Sequence, residues 1–92
     1  MNKCLKITLK IQLQEDLLQN FIQKNAKKFK IEGTAQAVNE DTIKVIACGK
    51  GEDVDHFVDS IYKGYKGLKI SVIEVEPFLK DKDYRGVFRL IE

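Results

Sequence analysis

Two cysteines, one histidine and no apolar run of membrane-spanning length are what this 92-residue sequence has least of. Cys4 and Cys48 are too few for a disulfide framework and lack metal-ligand spacing. They are read as reduced cysteines acting as small hydrophobes. His56 has neither cysteine near it in sequence, so no nucleophilic Cys–His pair is read, and it is taken as a solvated helix residue. No stretch approaches the roughly 18 apolar residues of a membrane span. Lys3, Lys6 and Lys10 interrupt the one apolar stretch near the start, so no signal peptide is read, no membrane partner is expected, and the cytoplasm is the expected address. No cofactor or metal is implied.

What is present is a globular composition, 43% hydrophobic and 33% charged. The net charge of +2 is the small difference between 16 basic and 14 acidic side chains, and total charge of that size implies no nucleic-acid partner. The length fits one domain, expected over 1–92.

Periodicity orders the elements. From Cys4 to Leu13 apolar residues alternate with Lys6, Thr8, Lys10 and Gln12, which predicts a strand with one buried face. Leu17, Leu18, Phe21, Ile22, Ala26 and Phe29 then recur at three and four, the stripe of an amphipathic helix. Segments 31–38 and 42–48 read as strands joined by the turn Asn39-Glu40-Asp41, a hairpin. Gly49-Lys50-Gly51 is expected to break the strand before a second helix over 52–63, with Val54, Phe57, Val58 and Ile61 as its apolar stripe. Segment 69–76 reads as a fourth strand with a bulge at Val72-Ile73. After a charged connection, 87–91 is a short edge strand.

That order predicts an α+β fold: a ferredoxin-like split βαβ sandwich, βαββαβ plus a short C-terminal edge strand. Two helices would cover one face of an antiparallel sheet. Many unrelated functions use this architecture, so the fold alone assigns none.

The first helix reads Asn20-Phe21-Ile22-Gln23-Lys24-Asn25-Ala26-Lys27-Lys28. Gly33 follows in the next strand, and Thr42-Ile43-Lys44-Val45 comes after the turn, with no gap between them. In this register the chain resembles the acylphosphatases over roughly residues 5–91. The segments 49–63 and 70–75 are similar to the family's second helix and fourth strand. The resemblance implies a phosphate loop after the first strand, of the form G-x-V-Q-G-V-x-F-R, whose arginine binds the phosphate. It also implies a strand asparagine that orients the attacking water.

Neither residue is carried over. Gln14, Glu15, Asp16, Leu17, Leu18 and Gln19 fall on the phosphate loop, with Glu15 on a loop glycine and Gln19 on the arginine. Ala37 falls on the asparagine. A nest of backbone N–H groups needs glycine for its angles and for close approach. A carboxylate about 5 Å from a phosphate repels it by about 3 kcal/mol at an effective dielectric near 20. Loss of the bidentate arginine removes roughly 1.5–3 kcal/mol more. Losing a positioned polar group typically costs about 10²–10³ in rate. The expectation is a catalytically inactive family member acting as a small binding or regulatory module, its partner unread and a protein partner allowed. The alternative is an acylphosphatase with a rearranged site, for which Asn20 and Asn39 are the nearest, poorly aimed substitutes.

The bland reading of Glu15 and Asp16 is a stabilised helix start, with Asp16 at or near the N-cap. By parity Cys4 and Cys48 point to the outer sheet face and could be neighbours there, although no C-x-x-C pattern activates either. Lys6, Lys10 and Lys44 share that face, which admits a weak anionic or nucleic-acid partner. The first and third strands carry no aromatic for base stacking, so the pattern reads mainly as a solvated face. Arg85 and Arg89 receive no role.

Overall fold

A computed structural model describes residues 2–12, 16–65, 70–79 and 84–91. Strand β1 spans Asn2–Lys10, β2 Glu32–Asn39, β3 Thr42–Lys50, β4 Val72–Pro77 and β5 Phe88–Ile91. The first helical segment opens as a π-helical stretch, Leu18–Gln23, and continues as helix α1, Lys24–Lys28; helix α2 spans Gly51–Tyr62. The five strands form one sheet in the order β4-β1-β3-β2-β5. The antiparallel pairing expected from the sequence holds for β1 to β4, while β5 joins the edge parallel to β2. The sheet is therefore mixed.

Alternation in β1 does what a period of two requires: Ile7 and Leu9 are fully buried. Ile43, Val45 and Ala47 of β3 and Ala35 of β2 complete the sheet's share of the core. Phe21, Ile22 and Ala26 from the first helical segment and Val54, Phe57 and Ile61 from α2 pack onto that face. Ile7, Leu9, Ile43, Val45, Phe57 and Ile22 are all fully excluded from solvent. Truncating any large member of this set costs about 2–5 kcal/mol, a large share of a small domain's stability.

Local chemistry fixes the helix ends. Lys27 and Lys28 lie in the last turn of α1. Ile31 N–H then donates to the Ala26 carbonyl at 2.8 Å and Lys30 N–H to Lys27 at 3.3 Å, with Lys30 left-handed at φ 58. This pair of bonds is a Schellman termination, in which lysine occupies the position glycine usually holds. Glu52 and Asp53 place negative charge in the first turn of α2.

The structure corrects several local expectations. β3 continues through Gly49 and Lys50 instead of breaking there, because both pair with β1, at Lys3 and Asn2. β4 pairs with β1 in unbroken register from Lys10↔Val72 to Leu5↔Pro77, so no bulge occurs at Val72-Ile73. A register shift falls instead between Ala37 and Asn39 in β2. β1 ends at Lys10, three residues before the expected limit. Cys4 and Cys48 are not reduced hydrophobes: they face each other in the β1–β3 ladder and are joined by a disulfide. Among the described residues no helix is long and apolar enough to cross a membrane.

Candidate functional site

The candidate site lies where the chain leaves β1 and enters the first helical segment, beside the far end of β2. Of its loop, Leu13, Gln14 and Glu15 lie outside the described residues. Ile11 N–H donates to the Asp41 carbonyl at 2.9 Å, which ties the loop's start to the β2–β3 turn. Asp16 follows with φ 64, a left-handed angle that aspartate tolerates better than most residues. The Asp16 carbonyl accepts from Asn20 N–H at 2.7 Å. Asp16 thus stands at the helix entry, next to Leu17, which is already helical at φ −60 and ψ −47 and has no side-chain cap bond. Its carboxylate is exposed at the one described loop residue with a left-handed backbone.

Leu17 is 1% exposed and Leu18 is half-buried, so both extend the core and offer no polar group. Gln19 is exposed on the first turn of the π-helical stretch. Ala37 lies on the face of buried Ala35, one pleat further along β2, where helix cover ends and the methyl is exposed. Val38 beside it, within the register shift, is 55% exposed. The described part of the site thus presents an amide, a carboxylate and aliphatic side chains.

The two substitute asparagines fare differently. The Asn39 side chain is committed to its own turn, accepting from Asp41 N–H at 3.0 Å, while Thr42 Oγ1 donates to the Asp41 carboxylate at 3.0 Å. Asn20 is exposed one residue beyond Gln19. Because i→i+5 geometry packs more residues into each turn, the angular step between them is smaller than in an α-helix. Gln23, further along, donates to the Phe88 carbonyl at 3.3 Å and pins the helix to β5.

The lysine face has a charge balance the sequence concealed. Pairing of β4 with β1 puts Glu76 opposite Lys6 and Glu74 opposite Thr8. Lys6 Nζ reaches the Glu76 carboxylate at 3.7 Å. Lys10 and Lys44 are exposed on the same face. Arg89 stands beside Thr34 on the β2–β5 side, and Arg85 occupies a left-handed turn position next to Gly86. His56 is exposed, with its ring 6.0 Å from that of Phe29. Among the described residues no cluster of three metal-ligating side chains occurs.

The acylphosphatase family profile matches residues 12–89, so this chain belongs to the acylphosphatase family. A search of curated proteins finds no match to the sequence. Among solved structures, an acylphosphatase from Bacillus subtilis is similar with a TM-score of 0.85, each chain wholly covered, at 20% identity. An acylphosphatase from Coxiella burnetii has a TM-score of 0.85 at 18% identity, with 98% of this chain and 93% of that chain covered. Full-length HypF in a phosphate- and nucleotide-bound form is similar at a TM-score of 0.80 and 17% identity. There the whole of this chain covers 12% of that protein. At these identities the structural likeness shows the shared fold and leaves the chemistry to the residues.

Proposed function

We propose that the chain is a single acylphosphatase-like domain that does not hydrolyse acyl phosphates and serves as a small binding or regulatory module. The observation carrying this reading is a pair of exposed side chains, an amide at Gln19 and a methyl at Ala37, at the positions that the resemblance makes functional. Phosphoryl chemistry rests on positioned charge and a positioned water, and neither group supplies them. The exposed carboxylate of left-handed Asp16 adds repulsion where an anion would sit. Turnover of a synthetic acyl phosphate tests the proposal; release of phosphate above a heat-killed control refutes it. Titration with inorganic phosphate is the companion measurement, and amide shifts confined to residues 15–19 count against the reading.

A second reading, an acylphosphatase with a rearranged site, is favoured by one observation. Two acylphosphatases share the fold over essentially the whole chain. The commitment of Asn39 to its turn removes one of its two substitute groups. We keep the cytoplasm as the proposed address, with the consequence that a reducing compartment would exchange the Cys4–Cys48 bond and not leave it permanently closed.

A further inference from the structure

The Cys4–Cys48 disulfide lies far along β1 from the phosphate loop, at the end of the strand where it begins. A cavity of about 390 Å³ opens beside it, lined by Cys4, Cys48, Glu32 and Phe78 among others. We propose that this bond is a thiol-exchange site, in which a small thiol attacks the sulfur of Cys4 and Cys48 departs as the thiolate.

Direction follows from access. Thiol–disulfide exchange runs in line, so the nucleophile approaches each sulfur from the side opposite its partner. For Cys48 that approach comes from β2, whose Glu32 is its ladder neighbour. The Glu32 carboxylate accepts from Gly86 N–H at 2.9 Å, on the β5 side of β2, and Cys48 is only 2% exposed. For Cys4 the approach comes from the β4 side, where pairing with β1 stops at Leu5↔Pro77. Beyond it Phe78 N–H donates to the Cys4 carbonyl at 3.1 Å, and Cys4 itself is half-buried. Glu32 lines the cavity with both cysteines, so it does not discriminate between the two routes; the difference in exposure selects Cys4.

The chemistry balances with a low-molecular-weight thiol as co-reactant. Its thiolate forms a bond to Cys4 Sγ as the Sγ–Sγ bond breaks, and Cys48 leaves as a thiolate that takes a proton from water. A second thiolate attacks the outer sulfur of the mixed disulfide, releasing Cys4 and forming the small-molecule disulfide. Two protein sulfurs are reduced and two thiols are oxidised. The bond also matters to its surroundings. Asn2 and Lys3 pair with β3 alone, beyond the last β4-side contact at Cys4, so the disulfide is the covalent cross-link that ties this end of β1 to β3. Reduction is expected to raise amide exchange at residues 2–4 and 48–50 while leaving the buried centre of β1 protected.

The test uses the full oxidised chain and millimolar reduced glutathione, quenched with acid at short times and mapped by mass spectrometry. The expected first product carries glutathione on Cys4 with Cys48 free, in about tenfold excess over the reverse adduct. Equal adducts, a Cys48 adduct in excess, or a bond untouched while an unhindered peptide disulfide is fully reduced would each overturn the proposal. Adduct migration is controlled with Cys48→Ser and Cys4→Ser treated with oxidised glutathione, the fold checked by circular dichroism. The first should couple about tenfold faster than the second. Equal rates refute the assignment, and if either variant fails to fold the rapid-quench result decides alone.

Discussion

Replacing Gly33 with alanine probes the tightest backbone approach in the sheet. Gly33 is buried in β2 with φ 141, and a Cβ built there would lie 1.8 Å from the Ile46 carbonyl oxygen. That oxygen belongs to β3, which is paired on both sides, by β1 through Lys6↔Ile46 and by β2 through Thr34↔Ile46. It has little freedom to withdraw. The backbone angle costs an L-residue about 1–3 kcal/mol, and overpacking against a fixed neighbour adds about 1–3 kcal/mol. A loss near 4 kcal/mol compares with a total stability of about 5–14 kcal/mol for a chain of this size. Urea unfolding followed by far-ultraviolet circular dichroism is the suitable assay, since the chain has no tryptophan. With a slope of about 1–3 kcal/mol/M, the midpoint should fall by roughly 2 M. Gly86→Ala supplies the control: φ is 71 but nothing lies within 4 Å of the added carbon. Only the angular cost, about 1–2 kcal/mol, should appear there. Equal destabilisation by the two substitutions would refute the steric argument, as would a Gly33→Ala midpoint within experimental error of the parent.

Lys30→Gly should stabilise the chain by about 0.5–1 kcal/mol, because Lys30 already holds the left-handed position of a Schellman cap; a lower urea midpoint would refute this. Gln19→Arg with Ala37→Asn should leave acyl phosphate hydrolysis at the uncatalysed rate while Glu15 and Asp16 remain, and recovery should need both carboxylates replaced as well, with glycine at position 15. Full activity in the double variant would show that the loop carboxylates are tolerated. Lys3→Ala should change stability by less than about 0.5 kcal/mol, since the Lys3–Asp55 pair at 2.6 Å is 41% and 64% exposed; a larger loss in a urea titration would show a role beyond that pair. Single-stranded RNA should give a flat titration even at low salt, because Glu76 and Glu74 stand beside the lysines of the sheet face.

Much of this was legible in the order of residues. Alternation in β1 and the three-four spacing of Phe21, Ile22 and Ala26 are local consequences of strand and helix geometry, so the core face could be assigned without coordinates. The reading that puts Gln19 and Ala37 on the family's arginine and asparagine positions, part of the proposed function, also comes from the sequence, as residue identities in a gap-free register. Glu74 and Glu76 were readable as residues but not as partners of Lys6, since strand order is a long-range property. The parity of Cys4 and Cys48 put both on one face, yet bond formation needed the β1–β3 register.

The sequence by itself determined the order and type of the elements and most of the apolar face each one buries. Each of these depends on a chemical identity or a short period along the chain. The tertiary structure alone decided that β5 runs parallel to β2, that Asn39 spends its side chain on its own turn, and that Gly33 must have no Cβ. It also decided that two cysteines separated by 44 positions share one bond. Those outcomes depend on which segments come to lie side by side, and proximity between distant segments is set by the packing of the whole sheet.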